Sequence, residues 1–350
     1  MSFELNTVLD ERINSASLRA YCIKFDFGVC MLNPLSDILL DALVDFAYGF
    51  HQGIQDHRYN RRVLREAATS LYKIKGFSDA KKLYLDDDSV LQIDDSEKTD
   101  EVRNYEEQIM KKGEFGELLL HVYLRDYFET VPLLSKIFFK DTDGFTVHGF
   151  DAIHIGKDPS DLNKDSLFLG ESKLYYRKAG KSGVAGVKDL AKDIKEHFYR
   201  DFLTREFALV SKKKDAFLPV EDYCDKNTID SYKEYLDIKN SWITRIQKVC
   251  EGKESLEKLL SSVTIPVICT YESELFITFT DICQDGFVDA YNAEVRELEE
   301  IFKEEIKRIV VEKGEPIRTN LNIILILLPI PSKKDIVKLL YHKVWNQQNA

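Results

Sequence analysis

The sequence has few of the features that mark a secreted scaffold, a zinc-binding module or a membrane protein. Only 6 of its 350 residues are cysteines, and no two of them form a CxxC pair. Scattered cysteines of this kind are typical of reduced thiols in a cytoplasmic protein. The most apolar run, residues 323–330, is too short to cross a bilayer, and the N-terminus lacks the basic start and apolar core of a signal peptide. We therefore expect a cytoplasmic protein without a membrane-spanning segment.

The sequence also lacks an overall excess of positive charge. It has 49 Lys and Arg against 60 Asp and Glu, a formal net charge of -11, which argues against simple nucleic-acid binding because phosphate affinity comes mainly from Lys and Arg. The charge is unevenly distributed, since residues 86–101 contain eight acids and one lysine, whereas residues 173–214 contain twelve basic residues and five acids. The second segment predicts a local basic surface, although any single lysine in it is equally consistent with a solvated helix face.

Segments typical of strands alternate with segments typical of helices. This alternation favours an α/β fold with a mixed central sheet flanked by helices. Strands are predicted at 18–30, 136–140, 265–271, 275–279 and 321–330. Helices are predicted at 34–50, 61–75, 103–129, 187–210, 289–312 and 333–345. We divide the chain into an N-terminal α/β extension at 1–85 and a main domain at 103–350, which carries a helical insertion at about 211–262.

Two further strand-like segments flank a polar loop and carry the candidate site. The first reads FTVHGFDAIHIG (145–156) and contains Asp151, and the second reads LFLGESKLYY (167–176) and contains Glu171 and Lys173. Residues i and i+2 of a strand point to the same face, so Glu171 and Lys173 project together. An acid and a base on one face of an apolar strand are costly unless something pairs with them. A metal ion held by Asp151 and Glu171, with Lys173 beside an attacked phosphate, meets that cost; a simple Glu171–Lys173 ion pair is the alternative.

The helix predicted at 103–129 supplies a further acid. Glu114 and Glu117 lie one helical turn apart and can share a face of the helix, although either is also acceptable as a solvated helix residue. Because carboxylates are hard ligands, the predicted metal is Mg²⁺ or Mn²⁺. Other acid-x-Lys triplets, such as Asp193-Ile194-Lys195, lie in helix-like sequence, where residues i and i+2 do not share a face.

The order of these parts, a glutamate on a helix followed by Asp151 and then Glu171-Ser172-Lys173, resembles the PD-(D/E)xK nuclease superfamily. More locally, the segments GEFGELLL (113–120), HGFDAIHI (148–155) and LFLGESKLY (167–175) resemble the HamA family of Hachiman anti-phage defence nuclease subunits. The resemblance is strongest over 103–200 and looser over 262–345. Phe150 stands where the superfamily pattern has a proline.

The resemblance implies a PD-(D/E)xK nuclease-like core. By motif position it implies that Asp151 and Glu171 are metal ligands, that Lys173 is the catalytic lysine, and that Glu117 or else Glu114 is a further ligand. It also implies that the protein acts on DNA together with a helicase-like partner, HamB. The expected function is therefore that of a metal-dependent DNA endonuclease, the effector of a two-component anti-phage defence system.

Two other functions are compatible with the same sequence. A non-catalytic adaptor would keep the fold in order to bind nucleic acid or the helicase, and the intact set of Asp151, Glu171 and Lys173 argues against it. A protein that recognises a small anionic ligand would favour a glycine-rich phosphate loop between strand and helix, which the sequence lacks.

Four histidines lie in or near these segments. His148 and His154 flank Asp151 and are candidate ligands, although a strand histidine is more often hydrogen-bonded and half-buried. His121 and His197 lie in helix-like sequence and are predicted on helix surfaces.

The helix that follows the motif carries the candidates for phosphate contacts. Lys188, Lys192 and Lys195 lie on this helix beside the predicted site and are better candidates than the three lysines at 212–214, which are more typical of a solvated turn. Tyr175 and Tyr176, at the end of the preceding strand, are predicted to be packing residues, with stacking on a base as the alternative.

Overall fold

The computed structural model describes residues 4–49, 63–69, 114–134, 149–176, 182–198, 200–212, 226–307 and 321–349. The predicted strand at 136–140, the acidic segment at 86–101 and His148 lie outside these residues.

A seven-stranded mixed sheet forms the centre of the fold. The strands are β1 (Leu9–Asn14), β2 (Leu18–Ile23), β3 (Phe25–Asp26), β4 (Val29–Cys30), β5 (Val131–Pro132), β6 (Ala152–Asp158), β7 (Asp161–Tyr175), β8 (Val263–Glu272) and β9 (Asn322–Ile330). The order in the main sheet is β1-β2-β9-β8-β7-β6-β5, and β3 and β4 pair separately. β2, β9, β8 and β7 are parallel to one another, whereas β1 pairs antiparallel with β2, β6 antiparallel with β7, and β5 antiparallel with β6. The predicted α/β class with a mixed central sheet flanked by helices is confirmed.

The first strands of the chain belong to this same sheet. β2 pairs in parallel with β9, where Ala20 lies opposite Leu327, and β1 pairs with the other edge of β2. The segment predicted as an N-terminal α/β extension therefore contributes two strands to the main sheet. The division of the chain into domains stays a prediction.

The helices cover both faces of the sheet. They are α1 (Leu5–Val8), α2 (Leu32–Asp41), α3 (Leu43–Tyr48), α4 (63–69), α5 (Glu114–Phe128), α6 (Ser182–His197), α7 (Arg200–Lys212), α8 (Lys226–Cys250), α9 (Leu256–Leu260), α10 (Leu275–Thr278), α11 (Phe287–Lys307) and α12 (Lys333–Asn349). α6, α7, α8 and α11 lie on one face, and α2, α5 and α12 lie on the other. Within the described ranges, no helix is long and apolar enough to cross a membrane.

Several predicted elements differ from the structure. The strand predicted at 18–30 is three short strands, β2, β3 and β4, and the helix predicted at 34–50 is two helices, α2 and α3. The helix predicted at 187–210 is two helices, α6 and α7, which meet next to the buried Phe198. The strand predicted at 275–279 is the short helix α10, because Ile277 and Thr278 donate their backbone N–H groups to the carbonyl oxygen of Glu274. A short apolar run has no periodicity that separates a buried strand from a helical turn.

Side chains near the end of β7 alternate between the two faces of the sheet. Gly116 of α5 lies against Ser172 and Leu174, whereas Gly186 of α6 lies against Tyr175. Because side chains alternate along a strand, Glu171 and Lys173 face α6 together with Tyr175.

Two glycines allow α6 to approach the sheet closely. A β-carbon at Gly186 would clash with the Sγ atom of the fully buried Cys269 of β8, and one at Gly183 would lie 2.9 Å from Leu298 of α11 and 3.0 Å from Tyr271 of β8. Real β-carbons do not approach other atoms this closely, so a side chain at either position has no space. The absence of a side chain thus fixes the distance between α6 and strands β7 and β8.

We expect Gly186→Val to lower the free energy of unfolding by about 1–3 kcal/mol, because the added carbons must displace Cys269 or the whole helix. Urea denaturation followed by circular dichroism measures this change. Ala185→Val is the matched control, since it places the same β-branched side chain on the exposed face of the same helix. Equal losses in the two variants would show that close packing at Gly186 does not hold α6.

Candidate functional site

A cleft of about 450 Å³ opens where the parallel strands end. Open α/β sheets usually bind ligands outside the carboxyl ends of their parallel strands. The cleft lies between the end of β7, helices α5 and α6, and the first residue of α12. Its lining residues are Glu117, Asp151, Ser172, Lys173, Leu174, Tyr175, Tyr176, Asp189, Lys192, Asp193 and Lys333. Four acids and three lysines thus share one concave surface.

Asp151 is held at the rim of the cleft by the strand that carries the Glu-x-Lys motif. Its backbone N–H donates to the carbonyl oxygen of Gly170 at 2.9 Å. Its carboxylate atom Oδ2 accepts hydrogen bonds from the backbone N–H of Ser172 at 2.8 Å and from the hydroxyl of Ser172 at 2.7 Å. The middle residue of the motif therefore orients the acid predicted from the preceding strand. The sequence analysis assigned no role to Ser172.

Glu171 lies deeper than Asp151, since only 3% of its surface is exposed. Its Oε1 atom lies 2.7 Å from Nδ1 of His197, the last residue of α6. Burial lowers the pKa of His197 below its ordinary value, which favours a neutral ring whose Nδ1–H donates to the carboxylate. The prediction that His197 lies on a helix surface was wrong: its side chain is 18% exposed and bonded to Glu171.

Lys173 contacts the carboxylate of Asp193 on α6. Burial acts to lower the pKa of Lys173, but the hydrogen bond and charge of Asp193, with the charges of Asp151 and Glu171, outweigh it and raise the pKa above its ordinary value. The side chain is therefore an ammonium ion. Glu171 and Lys173 each have a partner of their own on α6, so the simple ion pair considered from the sequence does not describe their surroundings.

Of the two candidate glutamates on α5, Glu117 lines the cleft together with Asp151. The side chain of Glu114 lies outside the described part of the chain. In the ranges that the structure describes, no three or more His, Cys, Asp or Glu side chains are grouped to hold a metal ion. The carboxylates of Asp151 and Glu117 nonetheless fit Mg²⁺ or Mn²⁺, because Mg²⁺ often takes only one or two protein carboxylates and completes its shell with water and phosphate.

His121 of α5 and His154 of β6 belong to the core. Nδ1 of His154 lies 2.8 Å from the hydroxyl of Thr130, and its Nε2 lies 3.2 Å from Nδ1 of His121. Burial, with a smaller contribution from Arg125, lowers the pKa of His154 to about 3. His154 is therefore a hydrogen-bonded core residue whose two ring nitrogens both have partners. The prediction that His121 lies on a helix surface was wrong, since it is 1% exposed.

Some of the residues considered for nucleic-acid contacts lie at the cleft, namely Lys192, Tyr175 and Tyr176. Lys192 is exposed and lines the cleft, whereas Lys188 is exposed and Lys195 half-buried on the same helix outside the lining. Tyr175 donates its hydroxyl to Asp189 of α6, and Tyr176 lines the cleft with its ring 5.9 Å from the ammonium of Lys333.

Lys333 is a cleft residue that the sequence analysis missed. It begins α12, is 3% exposed, and donates its ammonium to the carbonyl oxygen of Leu174 at 2.6 Å. Burial lowers its pKa to about 8, against an opposing effect of the Glu272 carboxylate. The available signal was its place just after a central strand, since residues at that position line the end of an α/β sheet.

The fold and the cleft define a class of protein: an α/β protein whose mixed sheet presents carboxylates and lysines at the ends of its parallel strands. A search of curated proteins finds no match to the chain. The sequence model of the HamA family matches residues 2–344, and the chain therefore belongs to the HamA family. This membership makes it a component of Hachiman anti-phage defence.

The lowered pKa of Lys333 predicts a pH-dependent contribution to stability. Between pH 8 and 10.5 the unfolded chain binds a proton at this residue that the folded protein has lost, so the stability of the wild type rises with pH relative to Lys333→Met. We expect the difference in unfolding free energy between the two proteins to change by about 3 kcal/mol at most across this window. Chemical denaturation at several pH values measures it. Lys334→Met is the control, and a wild-type pH dependence in Lys333→Met would contradict the prediction.

Proposed function

We propose that the protein is a metal-dependent DNA endonuclease, the effector of its Hachiman system, which works with a helicase subunit similar to HamB. The observation that supports this most directly is that Glu117, Asp151 and Lys173 line one cleft at the carboxyl ends of the parallel strands. Their order along the chain and their placement on a helix, a strand start and a strand end match the PD-(D/E)xK pattern. The PD-(D/E)xK nuclease-like core is part of the proposal.

The residues of the cleft have distinct roles in the proposed reaction. Asp151 and Glu117 would hold Mg²⁺ or Mn²⁺, and Glu171 is the remaining predicted ligand. When bound, the metal supplies an activated water and neutralises the charge that develops on the phosphate. Lys173, kept as an ammonium ion by the surrounding carboxylates, stabilises the negative charge of the transition state from the neighbouring side. Ser172 keeps the Asp151 carboxylate in position through two hydrogen bonds.

The nucleic-acid contacts are assigned to α6. Lys192 projects into the cleft mouth, and Lys188 and Lys195 extend the same helical face along a phosphate backbone. The net charge of -11 nevertheless disfavours tight binding by the subunit alone. We therefore propose that the helicase partner loads the subunit onto DNA.

One observation favours a non-catalytic adaptor as the second candidate. Glu171 is engaged by His197, and Lys173 is engaged by Asp193. An adaptor that keeps the fold without turnover would tolerate both pairs, whereas a nuclease needs Lys173 to reach the phosphate. Cleavage assays separate the two candidates.

We expect supercoiled plasmid to be cut in the presence of Mg²⁺ or Mn²⁺, and Glu171→Ala and Lys173→Ala to lower the rate by about 100-fold or more. Each protein is assayed with and without the helicase subunit, by gel electrophoresis of the plasmid. Glu300→Ala and Lys248→Ala change exposed residues of α11 and α8 and serve as matched controls.

The outcomes of this assay distinguish the candidates. Activity that needs metal, disappears in both site variants and persists in both controls supports the nuclease. Equal cleavage by wild type and site variants would place the activity elsewhere. Binding of DNA without cleavage in any condition would favour the adaptor.

We expect Lys192→Ala to weaken DNA binding equally for unrelated sequences and to lower the salt slope by about 1, because one phosphate contact is lost. Fluorescence anisotropy of a labelled duplex at several salt concentrations, without divalent metal, measures both quantities. Lys248→Ala is again the control. An unchanged slope would remove Lys192 from the contact surface, and tight binding by the isolated subunit at physiological salt would contradict loading by the partner.

A further inference from the structure

Helix α6 and strand β7 are joined by three polar contacts that follow one another in register. Asp189 accepts from the hydroxyl of Tyr175, and Asp193 pairs with Lys173. The third contact joins His197 to Glu171 at 2.7 Å. We call these three pairs the α6–β7 ladder.

The spacing of the α6–β7 ladder follows from the geometry of the two elements. Its helix positions are four residues apart, and its strand positions are two residues apart in the opposite direction. Four helical residues rise by about 6 Å. Two strand residues rise by about 6.6 Å. Because these two rises are nearly equal, a helix that runs antiparallel to the strand can place one side chain per turn beside every second strand residue.

Packing fixes α6 independently of the ladder. Gly183 and Gly186 bring its first turns against the sheet, and the buried Val187, Leu190 and Ile194 continue the contact. At the other end the ring of His197 stacks on Phe202 of α7, with centroids 4.8 Å apart and an angle of 11° between the rings. The helix thus presents Asp193 and His197 from a rigid support.

We propose that Asp193 and His197 are positioning residues, which hold Lys173 and Glu171 in the arrangement that the nuclease reaction needs. This inference rests on the proposed function. Asp193 keeps the flexible lysine side chain directed toward α6 and away from the carboxylate of Asp151. His197 fixes the orientation of the Glu171 carboxylate.

The physical reason for two such residues is the proximity of the charges. Glu171 and Lys173 share a strand face, and the charge of Asp151 also acts on Lys173. Without a competing acid, the ammonium would pair with one of these carboxylates and neutralise a predicted metal ligand. Partners of this kind, one step removed from a metal, typically contribute 10- to 100-fold to metal affinity or activity.

The test compares variants that differ only in the proposed interaction. His197→Phe keeps a ring to stack on Phe202 but loses the hydrogen-bond donor, and His197→Asn restores an N–H donor. Asp193→Ala removes the acid, and Asp193→Glu keeps it. Glu300→Gln, which changes an exposed residue of α11, is the control.

Three quantities are measured on the full-length protein: plasmid cleavage with the helicase subunit, Mn²⁺ affinity by electron paramagnetic resonance, and the midpoint of thermal unfolding. We expect His197→Phe and Asp193→Ala to lower kcat by about 10- to 100-fold, with an almost unchanged KM for DNA. We expect His197→Phe also to weaken Mn²⁺ binding, and His197→Asn and Asp193→Glu to recover most of each loss. Glu300→Gln retains wild-type values.

The outcomes separate this inference from the proposed function. Wild-type kcat and Mn²⁺ affinity in folded His197→Phe and Asp193→Ala would overturn the positioning roles and leave the nuclease intact. A wild type that does not cleave, but binds Mn²⁺ more tightly than His197→Phe, would overturn the nuclease and support the positioned metal site. Losses without recovery in the conservative variants, together with a lower unfolding midpoint, would show a structural role only and overturn the inference.

Discussion

The constraint on which the site depends is the placement of an acid and an amine two residues apart on one face of a buried strand. Neither charge is stable in such surroundings without a partner. One helix supplies both partners, since Asp193 contacts Lys173 and His197 contacts Glu171. The packing of α6 and the chemistry of the cleft are therefore inseparable, and the close contact at Gly186 belongs to the support of the site.

The cleft lies where the two faces of the sheet meet beyond the strand ends. Ser172 lies on the α5 face and holds Asp151, whereas Lys173 lies on the α6 face. Strand alternation alone would separate these side chains by the thickness of the sheet. At the carboxyl end the strands stop, so side chains from both faces and from the start of α12 reach the same volume. This is why adjacent residues of β7 line one cleft.

The periodicity of apolar residues predicted the helices and strands near the site. It could not predict contacts between residues that are distant in sequence. The strand around Glu171, the same-face placement of Lys173 and the acid from the preceding strand followed from the alternation of side chains. The partners Asp193 and His197 did not, because sequence periodicity says which face a residue occupies and not which element covers that face. The prediction of a strand at 275–279 was wrong for another reason, because so short an apolar run shows no periodicity that separates a strand from a helix.

The pairing of β2 with β9 has a consequence for how the protein is made. These strands are separated by about 300 residues of chain, yet β9 lies in the middle of the sheet, between β2 and β8. During synthesis β2 is made about 300 residues before β9 and has no parallel neighbour in the sheet until β9 emerges. The nascent chain therefore leaves one edge of β2 unpaired until β9 is made, and the matching edge of β8 is unpaired from the time β8 emerges; such edges invite wrong pairing. β9 then pairs with both strands and closes the two edges at once.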